Sequence, residues 1–207
     1  MIRCVVSDLG KVILFFDNHI FFRKMAEYCP YSPQDIAERV HGHMDLIRFF
    51  DTGKIGPADF YREVIRNLNA TVEEDIFFHI YCDVFSINPP VLDLLISLKP
   101  RYKLILLSNT DVKRFGFIKK KFPEILIFDD YILSYEVGYM KPHPGIYRET
   151  LKKGQIQAAE CVFLDDLPVN ILGARKAGMK AILYEPHTDL AARLEEMNVS
   201  PKIKTGS

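Results

Sequence analysis

Three short apolar runs constrain this chain more than any other feature. Val5-Val6 ends in Ser7-Asp8, Leu104-Ile105-Leu106-Leu107 ends in Ser108-Asn109, and Val162-Phe163-Leu164 ends in Asp165-Asp166. Runs this short and apolar at every position read as strands buried on both faces, the signature of a parallel sheet. In open α/β sheets ligands gather at the carboxyl ends of the strands. The polar residues that close the three runs are therefore expected at one rim. A fourth segment, Lys141-Pro142, supplies a lysine. An acid, a hydroxyl, a lysine and an acid pair at one rim suit a metal ion and a phosphate.

After Pro89-Pro90 the chain alternates between the two periods. Helices are predicted near Val91–Leu98, Val112–Lys121, Pro144–Lys153, Pro168–Ala177 and Asp189–Met197. Strands are predicted at Lys103–Leu107, Tyr131–Ser134, Cys161–Leu164 and Ala181–Tyr184. Such alternation predicts an α/β fold, a Rossmann-like parallel sheet with helices on both faces. Gly178 is placed as a helix stop, and the polar tail from Pro201 to Ser207 is expected to fray.

The first strand, Ile2–Ser7, is followed by Gly10 and a second apolar stretch, Val12–Phe16. From there to Asn88 the pattern is helical, over residues 19–29, 33–50, 57–69 and 72–85. Ser32 before Pro33 reads as an N-cap with proline at the first helical position, and Thr71 with Glu74 as a capping box. Phe49, Phe50, Phe60, Tyr61, Phe77 and Phe78 are assigned to this unit's own core. The division expected is a catalytic core of residues 1–15 and 89–207, interrupted by a small all-helical cap at 16–88. An insertion there sits over the strand ends, where it can act as a lid.

Composition narrows the partners. Lysines and arginines number 27, aspartates and glutamates also 27, and no long basic run occurs, which argues against nucleic acid or a membrane surface. Lys113, Arg114, Lys119, Lys120 and Lys121 are read as the wet face of one helix. No apolar run approaches the roughly 20 residues needed to cross a bilayer. Cys4, Cys29, Cys82 and Cys161 are scattered, with no C-x-x-C pair, as expected of reduced thiols in a cytoplasmic protein. The amino end runs straight into a strand without the flanks of a signal peptide.

Each candidate site residue also has an ordinary structural role to compete with. Asp8 can cap the next turn. Ser108 and Asn109 suit phosphate oxygens, yet they are equally favoured in turns and caps. Asp165-Asp166 pairs two acids that, if buried, need a cation or protons, and a hard divalent ion such as Mg²⁺ meets that need with oxygen ligands. Lys141 lies among two prolines and two glycines in Gly138–Gly145, a stretch read as a rigid loop. Held there, it can neutralise a phosphate or a carboxylate. His41-Gly42-His43 is set aside as a metal site, because residues two apart do not share a helix face.

Taken in order, these segments resemble the haloacid dehalogenase-like hydrolase superfamily, most members of which are phosphatases. Ser7 to Val12 is similar to the family's first motif, and Leu107 to Thr110 to the second. Gly138 to Tyr147 is similar to the G-x-x-K-P-x-P-x-x-Y form of the third, and Phe163 to Asp166 with Asn170 to the fourth. The Phe50 to Ile55 stretch, then Phe60, resembles the helical cap of sugar-phosphate phosphatases. The resemblance implies that Asp8 attacks phosphorus to form an aspartyl-phosphate, which water hydrolyses. It further implies Mg²⁺ held by Asp8, the Gly10 carbonyl and Asp166, with Asp165 in support. Ser108 and Asn109 would hold phosphoryl oxygens, and Lys141 would orient Asp8.

One position departs from the pattern. Most phosphatases of the family carry an acid–base aspartate two residues after the nucleophile, where this chain has Gly10. General acid–base help is typically worth about 10²–10⁴-fold, so substrates with good leaving groups are expected to suffer least, and Lys11, Asp17 and His19 are possible substitutes. The expected substrate is a small phosphorylated metabolite, a sugar phosphate first. Two rivals stand beside it: a catalytically weak protein that senses a phosphorylated ligand, and a metal-independent dehalogenase, for which Asp165-Asp166 has no use.

Overall fold

The computed structural model describes residues 1–201; the expected fraying of the tail falls, from residue 202 on, outside the described residues. Five parallel strands form one sheet in the order β5-β4-β1-β6-β7, with β1 Cys4–Ser7, β4 Lys103–Ser108, β5 Asp130–Leu133, β6 Cys161–Asp165 and β7 Lys180–Leu183. Register places Val6 beside Ile105 on one side and Phe163 on the other. Alternate residues feed opposite faces, as a two-residue period requires. Val5, Leu104, Leu106, Val162 and Leu164 join one core cluster, and Val6, Ile105, Leu107 and Phe163 join the other.

Helices cover both faces: α6 Pro89–Leu98, α7 Val112–Lys121, the single turn α8 Ser134–Val137, α9 Pro144–Gly154, α10 Pro168–Lys176 and α11 Leu190–Glu195. β4 and β5 lie on one side of β1, β6 and β7 on the other. The carboxyl edge of β1 is therefore a topological switch point, where an open crevice forms. Gly178 adopts a φ of +87° just past α10, the left-handed backbone that a helix stop uses.

The first helical stretch hangs on a short ribbon. β2 Leu14–Phe16 pairs antiparallel with β3 Phe85–Ile87, so Phe16 lies opposite Phe85. Between these strands run α1 Asn18–Met25, α2 Pro33–Gly42, α3 Met44–Asp51, α4 Pro57–Leu68 and α5 Glu74–Cys82. They enclose a separate core that includes Phe21, Phe22, Met25, Phe50, Phe60, Leu68, Phe77 and Tyr81. Phe50 and Phe60 stack with ring centroids 4.3 Å apart. Burying such side chains contributes roughly 1.5–3 kcal/mol each, enough for the unit to organise around its own interior.

Several local expectations are revised. The helix expected over 33–50 breaks at His43, whose φ of −119° and ψ of 37° leave the helical region. Ser32 does cap α2, in a full capping box with Asp35. Thr71 and Glu74 form no such box: α5 begins after Glu73 with no side-chain cap, and the Thr71 N–H donates to the Tyr28 carbonyl instead. β3 takes Phe85 from the end of an expected helical stretch, because a three-residue strand is too short to show alternation. Phe49 is 42% exposed rather than core. His41 and His43 are exposed at the α2–α3 corner. All four cysteines are free, and Cys29 is half-buried.

The basic face of α7 divides in two. Lys119 and Lys120 are exposed, whereas Lys113 reaches Glu74 at 3.9 Å and Lys121 pairs with Asp83, both on or beside α5. Arg114 is not on a wet face at all. Its guanidinium lies 4.1 Å over the Tyr81 ring and contacts Asn18 Oδ1 at 3.4 Å. The Tyr81 hydroxyl donates to Asp111 Oδ2 at 2.9 Å, tying the helical unit to the start of α7. Burial, with Asp111 nearby, pushes the Asp51 carboxyl up to about 7. A raised carboxyl binds its proton more tightly folded than unfolded, so folding stability falls as pH climbs from about 4 to 7 and stays lowered above that. Asp51→Asn is expected to raise the melting temperature clearly at pH 8.5 and little at pH 4.5, measured by calorimetry across that range.

Candidate active site

The predicted rim assembles at the carboxyl ends of β1, β4 and β6, with one long side chain reaching in from a loop. Asp8 follows β1 directly, and Ser7 anchors the turn by donating to the Asp8 carbonyl at 2.8 Å. Asp8 Oδ1 accepts from the Leu9 N–H at 2.6 Å. Asp165 ends β6 and is fully buried. Its Oδ1 accepts from the Leu167 N–H and from Asn170 Nδ2, both at 2.9 Å.

Lys141 joins the two. Its Nζ lies 2.7 Å from Asp8 Oδ1 and 2.7 Å from Asp165 Oδ2, with all three side chains buried or nearly so. Lysine is rarely buried unless paired, and here both partners are carboxylates. The backbone of Lys141 is fixed as firmly as its tip. Asn109 Oδ1 accepts from the Lys141 N–H at 2.8 Å, and Asn109 Nδ2 donates to the Lys141 carbonyl at 3.0 Å. The Lys141–Pro142 peptide is cis. Further along the loop His143 caps α9 by accepting from the Gly145 N–H.

The Asn109 side chain, expected at the phosphate, is thus largely committed to this clamp. One Nδ2 hydrogen and the backbone N–H remain for an oxygen. Ser108 is buried at the end of β4. Ser134, a residue the sequence reading passed over, secures the neighbouring turn: its Oγ accepts from the Thr110 N–H at 2.9 Å and donates to the Thr110 carbonyl at 3.0 Å.

Asp8, Asp165 and Asp166 each offer an oxygen within 4.8 Å of the others. Three carboxylates face one buried lysine, so negative charge is in excess. Burial and the nearby Asp165 raise Asp8 to about 7, against the opposing pull of Lys141. Asp166 is raised for the same reasons, burial first and Asp165 second. Burial works against charge on Lys141, yet Asp8 and Asp165 outweigh it and hold the ammonium above the ordinary lysine range. With Asp165 committed to Lys141, Leu167 and Asn170, Asp8 and Asp166 keep the freer oxygens. This donor set fits a hard divalent cation, which oxygen ligands favour and which removes the charge excess.

The cavity over these residues has a volume of about 170 Å³ and is bordered by Asp8, Gly10, Lys11, Asn109, Asp166 and Phe16. Gly10 stands where an acid–base side chain was expected. A Cβ there would lie 3.2 Å from Phe16 Cε1, a close contact that the ring relieves by moving a few tenths of an ångström. Phe16 was missed in the sequence because its position next to Gly10 depends on the β2–β3 ribbon. Of the possible substitutes for the missing acid, Asp17 is committed to capping α1 through the His19 N–H. The His19 ring packs edge-on against Phe22 at 5.8 Å. Lys11 borders the cavity, with Nζ 3.9 Å from Asp166 and 5.6 Å from the Phe16 ring centroid.

Residues 2–178 match the haloacid dehalogenase-like hydrolase family. A D-ribitol-5-phosphate phosphatase of Bacteroides thetaiotaomicron is 25% identical over 203 residues, covering 91% of this chain and 95% of the relative. A drimenol cyclase of Aspergillus calidoustus is 21% identical over 206 residues; the alignment takes in 97% of this chain and only 37% of that relative. Among solved structures, a HAD family enzyme of Bacteroides thetaiotaomicron in complex with magnesium and inorganic phosphate superimposes with a TM-score of 0.83. It is 24% identical, over 93% of this chain and 99% of that one.

Removing Lys141 leaves Asp8 and Asp165 facing each other without their cation. Breaking a buried pair in this way costs about 3–5 kcal/mol. Lys141→Met is therefore expected to lower stability by that order at pH 8 in chelator, read from urea unfolding. The loss should shrink at pH 5, where Asp8 carries a proton, and adding Mg²⁺ at pH 8 should recover part of it.

Proposed function

The chain belongs to the haloacid dehalogenase-like hydrolases, and from that premise we propose that it is a metal-dependent phosphatase acting through Asp8. The observation that carries this reading is Lys141 held 2.7 Å from both Asp8 and Asp165, with Asp166 beside them. A dehalogenase needs no third carboxylate there, whereas a phosphatase uses it to hold the ion that draws in the phosphate dianion.

Asp8, the Gly10 carbonyl and Asp166 would hold Mg²⁺, with Asp165 in support through Lys141. When bound, the ion supplies charge neutralisation at the phosphoryl oxygens and keeps Asp8 ionised. Asp8 is the nucleophile: a carboxylate oxygen forms a bond to phosphorus as the bond to the leaving oxygen breaks. The Lys141 ammonium fixes the rotamer of that carboxylate and offsets charge building on the phosphoryl group. Ser108 Oγ and the Asn109 amide donate to phosphoryl oxygens. Water then attacks the phosphorus of the aspartyl-phosphate, releasing inorganic phosphate and restoring Asp8.

Gly10 places the difficulty at the leaving oxygen and at the attacking water, since no carboxyl is present to give or take the proton. Lys11 is the substitute best positioned, a cation at the cavity edge beside Asp166. The helical unit would close over the site and choose the organic group. The relative named for D-ribitol 5-phosphate supports a sugar or polyol phosphate as one class to assay. The rival reading, a sensor that binds a phosphorylated ligand without turnover, draws on Gly10.

Phosphate release from p-nitrophenyl phosphate, acetyl phosphate and D-ribitol 5-phosphate should be sustained with Mg²⁺, lost in chelator, and lost in Asp8→Asn. Binding of phosphate and Mg²⁺ with no release from any of them would instead support the sensor. The Gly10 account makes a further demand. Gly10→Asp brings its Cβ to 3.2 Å from Phe16 Cε1, so the Phe16 ring has to shift slightly to admit it. Gly10→Asp with Phe16→Leu should raise turnover of the alkyl ester by tenfold or more while changing p-nitrophenyl phosphate much less, read as kcat for each substrate.

A further inference from the structure

A second cavity, of about 240 Å³, is bordered by α1 to α5 of the helical unit and by Arg114 of α7. Of the residues around the Asp8 cavity only Phe16 recurs on this border, so the two are separate spaces. Part of the border is apolar: Phe21, Phe60, Val64, Leu68 and Phe77 are buried in the unit's core. At the α2–α3 corner, Arg39, His41, His43 and Met44 border the cavity and are exposed, which puts its mouth on that side.

Charge on the border is one-sided. Arg39 and Arg114 line it, with the imidazoles of His41 and His43, and no carboxylate does. Neither guanidinium is in an ion pair. Among the described residues the arginines so paired are Arg3, Arg48, Arg62, Arg66 and Arg193. Arg39 lies 3.8 Å over the Tyr31 ring, a contact that engages the face of the guanidinium and leaves its N–H edge free. Arg114 has the greater need. Its Nη2 reaches Asn18 Oδ1 only at 3.4 Å, and its Nε is buried with no hydrogen-bond partner. Asp51 and Asp111 are near enough to act on its charge, yet neither pairs with the guanidinium. Asp111 spends Oδ1 on the Lys113 and Arg114 backbone N–H groups and Oδ2 on the Tyr81 hydroxyl. A buried charged donor without an acceptor is costly, and an acceptor arriving through the cavity removes that cost.

We propose that this cavity is a binding site for an apolar monocarboxylate, an alkyl or aryl carboxylic acid anion. Its carboxylate meets Arg114, and its hydrocarbon body lies among Phe21, Phe60, Val64 and Phe77. A planar carboxylate matches adjacent guanidinium N–H groups, whereas a phosphate dianion would bring more charge than one half-buried arginine offsets. A dry apolar cavity of about 150 Å³ holds benzene, so the larger space here takes a chain of about six carbons. The site stands apart from Asp8 and from the reaction proposed there.

The test is calorimetric titration of the protein at pH 7.5 with hexanoate, acetate and hexanamide, with and without Mg²⁺ plus inorganic phosphate. Hexanoate should bind one to one and about a hundredfold more tightly than acetate, at about threefold to fourfold for each buried methylene. Hexanamide, which keeps the body and loses the charge, should bind about tenfold more weakly than hexanoate. Phosphate with Mg²⁺ should leave the hexanoate affinity unchanged. Val64→Phe, which fills the apolar part, should abolish hexanoate binding; Leu46→Phe, from a different helix, serves the same purpose if that variant does not fold. Arg114→Lys keeps the charge and removes Nε, and should weaken hexanoate about tenfold. Affinity independent of chain length, hexanamide bound as tightly as hexanoate, or full affinity in Arg114→Lys would each overturn the proposal. So would displacement of hexanoate by phosphate with Mg²⁺, which would seat the acid at Asp8. Binding is read directly, so the outcome does not depend on whether any ester is hydrolysed.

Discussion

One ammonium group holds the rim of this protein together. Lys141 Nζ sits between Asp8 and Asp165 at 2.7 Å from each, and each of those carboxylates stands at the carboxyl end of a buried strand. Without the lysine, two buried acids would face each other across the central strands, and burial already lifts Asp8 well above the ordinary carboxylate range. The rest of the local structure serves to deliver that group. Asn109 clamps the Lys141 backbone from the end of β4, His143 starts α9 just beyond, and Asn170 fixes the far side of Asp165. Three strands and two loops thus meet on a single charge. The excess of negative charge that remains is what suits the site to a divalent ion.

The second constraint is the ribbon formed by β2 and β3. It brings residues 17 and 84 together, with the Asp17 N–H donating to the Val84 carbonyl at 3.0 Å, and everything between them packs as a helical unit with its own aromatic core. The ribbon also turns Phe16 towards Gly10. A single ring therefore packs against Gly10 and borders the Asp8 cavity. The contacts of Arg114, Tyr81 and Asp111 set the helical unit against α7.

Family and sheet were legible in the residues because their signals are local. A run such as Val162-Phe163-Leu164 is apolar at every position only if both faces are covered, and the acids that follow it can lie only at the carboxyl rim. Match and superposition agree with that reading over residues 2–178 and over 93% of the chain. The errors share a cause. The His43 break, the missing cap at Thr71 and the three-residue β3 are decided by how helices pack around one core, and no window of sequence contains that packing. Arg114 was assigned to water because it lies among lysines on one helix; it is half-buried because Tyr81 of α5 and Asn18 of α1 pack against it.

Residue type and order by themselves determined which chemistry the chain carries: two acid-bearing strand ends, a lysine in a proline-braced loop, and a glycine where an acid is usual. Covalent neighbourhood and hydrophobic period suffice for that much. Tertiary structure alone decided that Asp165 is spent on Lys141 while Asp166 stays freer, that the Asn109 amide serves a backbone, and that Phe16 packs close against Gly10. Each of these depends on distances between segments far apart in the chain, and those distances are set by the registry of β1 with β4 and β6 and by the packing of the helical unit above them.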